Sequence, residues 1–167
     1  MRLCLTALVA LLVMSAQLTA QQTSHTPSLQ ETLDYVNSKF VDSRNYKDAQ
    51  ISVSGDHETI ILDCNTVGHS YHQQYRAVAI ELDPSSTKWG VNLNEDYLIQ
   101  TQCKNGIGCV DWLHPDGSTT TQRQIGVFPY PPDEEIGKRL VKAYTHLVEL
   151  LQAEYRSKHD KDDPFAK

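Results

Sequence analysis

The stretch DEEIGKRLVKAYTHLVELLQAEYRS, residues 133–157, decides the fold. Ile136, Leu140, Tyr144, Leu147, Leu151 and Tyr155 recur at intervals of three and four, which is the spacing of one face of an α-helix. Asp133, Glu134 and Glu135 crowd its first turn, and Arg156 and Lys158 lie near its end, a distribution that complements the helix dipole. Glu134–Lys138, Glu135–Arg139 and Glu154–Lys158 stand four residues apart, where opposite charges add about 0.2–0.5 kcal/mol per pair. The stripe predicts that Leu140, Tyr144, Leu147 and Leu151 are buried. It places Lys138, Lys142, Glu149 and Gln152 in solvent.

Upstream the periodicity changes. Residues 49–130 hold short segments that alternate: AQISVSG, HETIILDC, YRAVAIELD, DYLIQTQC, GCVDWL and TTQRQIGVF. Ile51 and Val53 share a face, as do Ile60 and Leu62; Val78, Ile80 and Leu82 are expected to share another. Turn-formers at 54–56, 84–86, 92–94 and 115–117 separate the segments, and prolines in FPYPPDEE end the series. Such close spacing leaves no room for crossover helices, so the strands are antiparallel. Before them, SLQETLDYVNSKF carries Leu29, Leu33, Val36 and Phe40 on one stripe. Ser28 and Glu31 make a capping box, which predicts a helix over about 29–41. The fold expected is α+β: a bent or barrel-like antiparallel sheet of about six strands, with the 133–157 helix on its apolar opening. An open sheet with both helices on one face is the other arrangement the pattern allows.

The chain opens MRLCLTALVALLVMSAQLTAQQ, in which Arg2 precedes an uncharged apolar run and small residues follow. That layout predicts a secretory signal peptide over 1–20, cleaved after Ala20 or, failing that, Ala16. Residues 21–27 form a leader, 28–157 one domain, and 158–167 a charged tail ending in Pro164-Phe165. Removing residues 1–20 takes away Arg2 and no acid, leaving 14 basic residues against 21 acidic ones, a net charge of −7. An acidic surface of this kind argues against phosphate-backbone binding, so no nucleic-acid partner is expected. Nor is stable membrane insertion expected after signal cleavage. The predicted destination is the periplasm or the cell exterior.

CKNGIGC, residues 103–109, fits that compartment, because disulfides persist where it is oxidising. Cys103 ends one predicted strand and Cys109 begins the next, and Asn105-Gly106 readily takes positive φ. A disulfide stapling a hairpin is the expectation; the spacing is wrong for a C-x-x-C redox pair. Cys64 is left over, a buried thiol or a partner for another cysteine.

Polar chemistry is sparse. DCNTVGHSYH brings Asp63, Cys64, His69 and His72 into one region, and imidazole with carboxylate or thiolate can hold zinc. Solvated loop histidines explain the same residues. DWLHPDG offers Asp111, His114 and Asp116, yet Pro115-Asp116-Gly117 also reads as a plain turn. Trp89 and Trp112 can stack on a sugar or apolar ligand, or simply fill the core. Phe165 is a candidate to dock onto the domain or onto a partner. The chain has no G-x-S-x-G elbow, phosphate-cradling glycine loop or H-E-x-x-H motif, and no cofactor is expected.

Over residues 49–157 the element order resembles the pleckstrin-homology-like barrel, whose terminal helix caps one end of a bent sheet. GKRLVKAYTHLVELL with the ending DDPF is also similar to small exported bacterial proteins of unknown function. The resemblance implies export and a compact domain, and it implies no activity. Two functions stay open: a non-catalytic binding or interaction module whose unknown protein or small-molecule partner lies in the envelope or outside the cell, and a small secreted enzyme, metal-assisted through the His69/His72 loop.

Overall fold

The structure, a computed structural model, describes residues 25–43, 45–67, 71–91 and 97–160. The fold is α+β, with two helices and eight strands among these residues. Helix α1 (Leu29–Asn37) precedes β1 (Tyr46–Val53), β2 (Thr59–Thr66) and β3 (His72–Val78). Then come β4 (Leu82–Val91), β5 (Tyr97–Cys103), β6 (Val110–Leu113), β7 (Thr119–Gln122), β8 (Gln124–Tyr130) and helix α2 (Glu134–His159). All pairings are antiparallel, as the spacing requires. The strands divide into a five-stranded sheet in the order β1-β2-β3-β6-β7 and a three-stranded sheet in the order β4-β5-β8, and they do not close into a barrel.

The division changes the strand reading. YRAVAIELD is not one strand: a 3₁₀ turn at Ala79–Glu81 breaks it and sends the chain from the first sheet to the second. Ala77, Ala79 and Leu82 are buried while Val78 is 42% exposed, so the expected Val78-Ile80-Leu82 face does not form. Pro84-Ser85-Ser86, expected as a separating turn, is instead a bulge within β4 between Asp83 and Lys88. A proline fits there because a bulge asks nothing of its missing N–H.

The chain passes between sheets three times, at 78–82, at 103–110 and at 122–124, and the three crossings are tied to one another. Val78 N–H donates to the Cys109 carbonyl (3.2 Å) and Cys109 N–H to the Gln122 carbonyl (3.1 Å). Cys103 N–H donates to the Arg123 carbonyl (2.8 Å), and the Lys104 ammonium to the Ile80 carbonyl (2.6 Å). The Cys103–Cys109 disulfide forms as expected, with 5.8 Å between Cα atoms. It does not staple a hairpin, since β5 and β6 belong to different sheets. It fastens the middle crossing. Asn105 (φ 56°) and Gly106 (φ 65°) make the turn inside it. A Cβ on Gly108 would stand 2.6 Å from Thr121 Cγ2, so any larger residue there must displace the Thr121 side chain.

Both helices cover the core. The capping box is present at Ser28 and Glu31, and α1 buries Leu33 and Val36. Helix α1 stops at Asn37, short of the expected 41, and that side chain takes another role. Its amide donates to the Ile51 carbonyl (2.9 Å) and accepts from Ile51 N–H (2.8 Å), pinning α1 to β1. Helix α2 buries Leu140, Tyr144, Leu147 and Leu151 against Leu62, Ile99, Ile125 and their neighbours. Lys138, Lys142 and Glu149 are exposed as expected, and Glu134–Lys138 (2.9 Å) and Glu154–Lys158 (3.0 Å) pair. Glu135 pairs with Lys138 (3.1 Å) rather than with Arg139.

Gln152 departs from the expectation of an exposed residue: it is only 5% exposed. Its amide donates to the carbonyls of Ala79 (2.9 Å) and Leu82 (2.7 Å), at the first crossing. A bent corner has carbonyls that no ladder can satisfy, and burial makes that costly. Gln152→Leu keeps the volume and removes both donors. It is expected to lower stability by about 1–3 kcal/mol in urea unfolding, the cost of leaving buried acceptors unpaired. A loss within about 0.5 kcal/mol, typical of surface changes, would show that the corner does not depend on this amide.

Candidate functional site

Strand alternation separates the zinc candidates. On the outer face of the five-stranded sheet, Asp63 Oδ1 meets His72 Nε2 at 2.9 Å and accepts from the Gln74 amide at 2.8 Å. Cys64 follows Asp63 in sequence, so its side chain takes the opposite face, where it is buried. Burial first, and the Asp63 carboxylate second, push its thiol up to about 12, so it stays protonated at neutral pH. His69 lies outside the described residues, as does Phe165. Among the described residues no three His, Cys, Asp or Glu side chains converge into a group that could hold a metal ion.

DWLHPDG forms the turn of the β6–β7 hairpin, with His114 N–H donating to the Ser118 carbonyl (2.9 Å) and Gly117 at φ 84°. Asp116 accepts from Ser118 N–H (2.9 Å) and hydroxyl (2.6 Å), contacts that hold its carboxyl below the usual range. Asp111 accepts from the Thr121 hydroxyl at 3.0 Å. These acids serve turn and strand; they do not converge on a common point.

The tryptophans are packing anchors. Trp112 stacks on Tyr75 from the neighbouring strand (centroids 5.7 Å apart) and contacts the His114 ring (4.0 Å). Trp89 stacks on Tyr97 at 5.5 Å. Helix α2 approaches the same indole so closely that a Cβ on Gly137 would lie 2.8–3.1 Å from its ring atoms. A glycine in this helix costs about 1 kcal/mol of propensity relative to alanine. It lets the backbone seat against the indole.

That seating shapes the surface beside it. Glu135, Lys138, Arg139, Lys142, Ala143 and His146 form one stripe along α2, at the helical spacing of three and four. A cleft of about 540 Å³ lies between this stripe and β4, lined by Lys88, Trp89, Lys138, Arg139, Val141 and Lys142. A second, of about 570 Å³, lies between it and α1, lined by residues including His25, Pro27, Tyr35, Ala143 and His146, and again by Lys142. Lys142 lines both clefts, and the two together are the trough along α2. The α1 end is set by His25 Nε2 on Glu31 (3.1 Å) and by His146 Nε2 on the Pro27 carbonyl (2.9 Å). Bonds from Ser28, then from His25, lower the Glu31 carboxyl to about 2, so it remains ionised. Lys88, Arg139 and Lys142 make no ion pair among the described residues. In a chain of net charge −6 they form a local cationic stripe.

Sequence reasoning missed this set. Lys138-Arg139 with Lys142 was the available signal, but Lys88 comes from β4, and only the seating of α2 brings it alongside. Comparison with protein-family models, curated proteins and solved structures gives no match, so function must be read from the geometry itself.

Two outcomes follow. Gly137→Ala gains helix propensity but drives a methyl into the Trp89 ring, and overpacking of this kind costs about 1–3 kcal/mol. A lower melting temperature is expected; a higher one would mean that α2 does not sit against Trp89. The second concerns the far end of α2. There Glu154 meets His57 (2.9 Å) and Lys158 (3.0 Å), His159 meets Glu58 (2.9 Å), and Lys158 reaches the Asp56 carbonyl. His57, then Lys158, hold the Glu154 carboxyl below its ordinary value. A depressed carboxyl contributes stability above its unfolded pKa of about 4.3 and loses it as pH falls through the folded value. Melting temperature should therefore fall on acidification below about pH 4.3, and fall less steeply in Glu154→Gln. An unchanged slope in that variant would remove Glu154 from the clasp.

Proposed function

We propose that this protein is an exported, non-catalytic binding module that takes its ligand in the trough along α2. One observation carries the reading: two clefts of about 570 and 540 Å³ flank the outward stripe of α2, sharing Lys142, which makes no ion pair among the described residues. Clefts with an apolar floor and a few polar groups are the usual form of a ligand site. The groups that would serve catalysis elsewhere are engaged in other ways. Asp63 holds His72, Asp116 holds its own turn, and the Cys64 thiol is buried and protonated. Export is supported by the signal-like start of the chain and by the Cys103–Cys109 disulfide, which fits an oxidising compartment. No described helix is long and apolar enough to cross a membrane.

The test is a nuclear magnetic resonance titration of the chain from Gln21 with a library of small neutral and charged fragments. Ligand-induced shifts are expected at Lys88, Trp89 and residues 135–146. Shifts confined to the Trp112–His114 end of the five-stranded sheet would sink the trough as the site. A stoichiometric metal lost in His72→Ala would favour the metal-assisted enzyme instead.

A further inference from the structure

The loop that carries the disulfide also carries a reactive pair. We infer that Asn105-Gly106 is a site of spontaneous modification, at which the Asn105 amide is hydrolysed through a cyclic imide to aspartate and isoaspartate. This site is independent of the trough and lies at the corner between the sheets.

The reaction needs a free side-chain amide, a following backbone nitrogen that can attack it, and space for the two to close. Asparagine is among the thermally labile side chains, and glycine after it offers the least steric resistance. Asn105 is the only asparagine followed by glycine; Asn37, Asn45, Asn65, Asn92 and Asn94 precede Ser, Tyr, Thr, Leu and Glu. Asn105 and Gly106 are both exposed, and the Asn105 side chain makes no hydrogen bond among the described residues. A Cβ on Gly106 would meet no atom within 4 Å, so nothing obstructs the approach. Other asparagines are held. The Asn37 amide is bound to both backbone groups of Ile51, and the Asn65 amide donates to Asp48 at 3.1 Å. Asp116-Gly117 has a similar backbone, but an ionised carboxylate is a poor electrophile, and this one accepts two bonds from Ser118.

The Gly106 nitrogen attacks Asn105 Cγ, and its proton passes through water to the departing amide. The Cγ–Nδ2 bond breaks, ammonia leaves, and the imide ring closes through the Gly106 nitrogen. Water then opens the ring. Addition at Cγ gives aspartate; addition at the main-chain carbonyl gives isoaspartate, with the backbone routed through Cβ and Cγ. Water enters, ammonia leaves, and nothing is oxidised or reduced. Closing the ring takes rotation about the Asn105 Cα–C bond from ψ 14°. Little resists it: Ile107 N–H reaches the Lys104 carbonyl at 3.3 Å, a long bond, and exposed loop segments open at small cost.

The product acts on the middle crossing. A new carboxylate beside Lys104 competes for the ammonium that now donates to the Ile80 carbonyl (2.6 Å), a tie to the first crossing. Isoaspartate also lengthens the backbone inside the ring closed by Cys103 and Cys109.

The experiment incubates the chain from Gln21 in mildly alkaline buffer, folded and oxidised, beside the same chain reduced in denaturant. Peptide mapping by mass spectrometry follows replacement of amide NH2 by OH at each asparagine, and released ammonia is assayed. Conversion is expected at Asn105 ahead of every other asparagine, at a rate within about a hundredfold of the denatured chain. Greater suppression in the folded chain, or earlier conversion at any other asparagine, overturns the site. In Asn105→Gln, where the ring is disfavoured, the early phase of ammonia release should disappear; its persistence also overturns the site. Converted protein should melt at a lower temperature than fresh protein, while Asn105→Gln incubated in the same way keeps its melting temperature. Equal melting of fresh and converted protein, or an equal loss in the variant, overturns the effect on the corner.

Discussion

Everything in this fold depends on the corner where the chain changes sheets. Three crossings lie side by side, joined by Val78–Cys109, Cys109–Gln122 and Cys103–Arg123 backbone bonds. A chain that leaves a ladder must find other partners for its backbone groups, because buried carbonyls without donors cost free energy. The crossings supply each other, and Gln152 of α2 supplies the remainder through Ala79 and Leu82. The disulfide then limits how far the middle crossing can open in the unfolded chain. Two sheets, one core and the path of α2 follow from that arrangement.

Helix α2 is thereby fixed by four kinds of contact. Apolar burial of Leu140, Leu147 and Leu151 supplies most of the free energy, at about 1.5–3 kcal/mol for each fully buried side chain. Directional bonds from Gln152 set its rotation. The Gly137–Trp89 contact sets how close its first half comes to β4. The charged clasp at Glu154, Lys158 and His159 is exposed, so it adds little energy and mainly holds the last turns over the β1–β2 connection. The stripe opposite the core is then left facing outward between β4 and α1. The trough is a consequence of helix placement, and a change at Gly137 reaches the site without touching a ligand.

Local pattern made much of this legible. Antiparallel strands, both helices, the capping box at Ser28 and the apolar stripe of α2 all rest on nearest-neighbour physics, and each is present, although α1 ends four residues early and several strand bounds shift. The disulfide was legible as a pair but not as a joint between sheets. Alternation tells which face a side chain takes; it does not tell which sheet its strand enters. YRAVAIELD shows the difficulty, since its alternation continues through the residues at which the backbone turns. Gln152 was unreadable for a related reason. A polar residue beside Leu151 looks solvated until two carbonyls some seventy positions upstream come into reach. The tryptophans suited core packing better than a ligand, and their neighbours show which contacts they make: Tyr97 with Gly137, and Tyr75 with His114.

The same non-locality bears on how charge is used. Helical pairing accounts for Lys138 and Lys158, which sit beside acids on their own helix. Arg139 and Lys142 have no such partner among the described residues, and unpaired exposed cations lose nothing, because water solvates them fully. Their effect is on encounter. A few cations in line on a chain with 21 acidic residues make a field that changes sign across one face of the molecule.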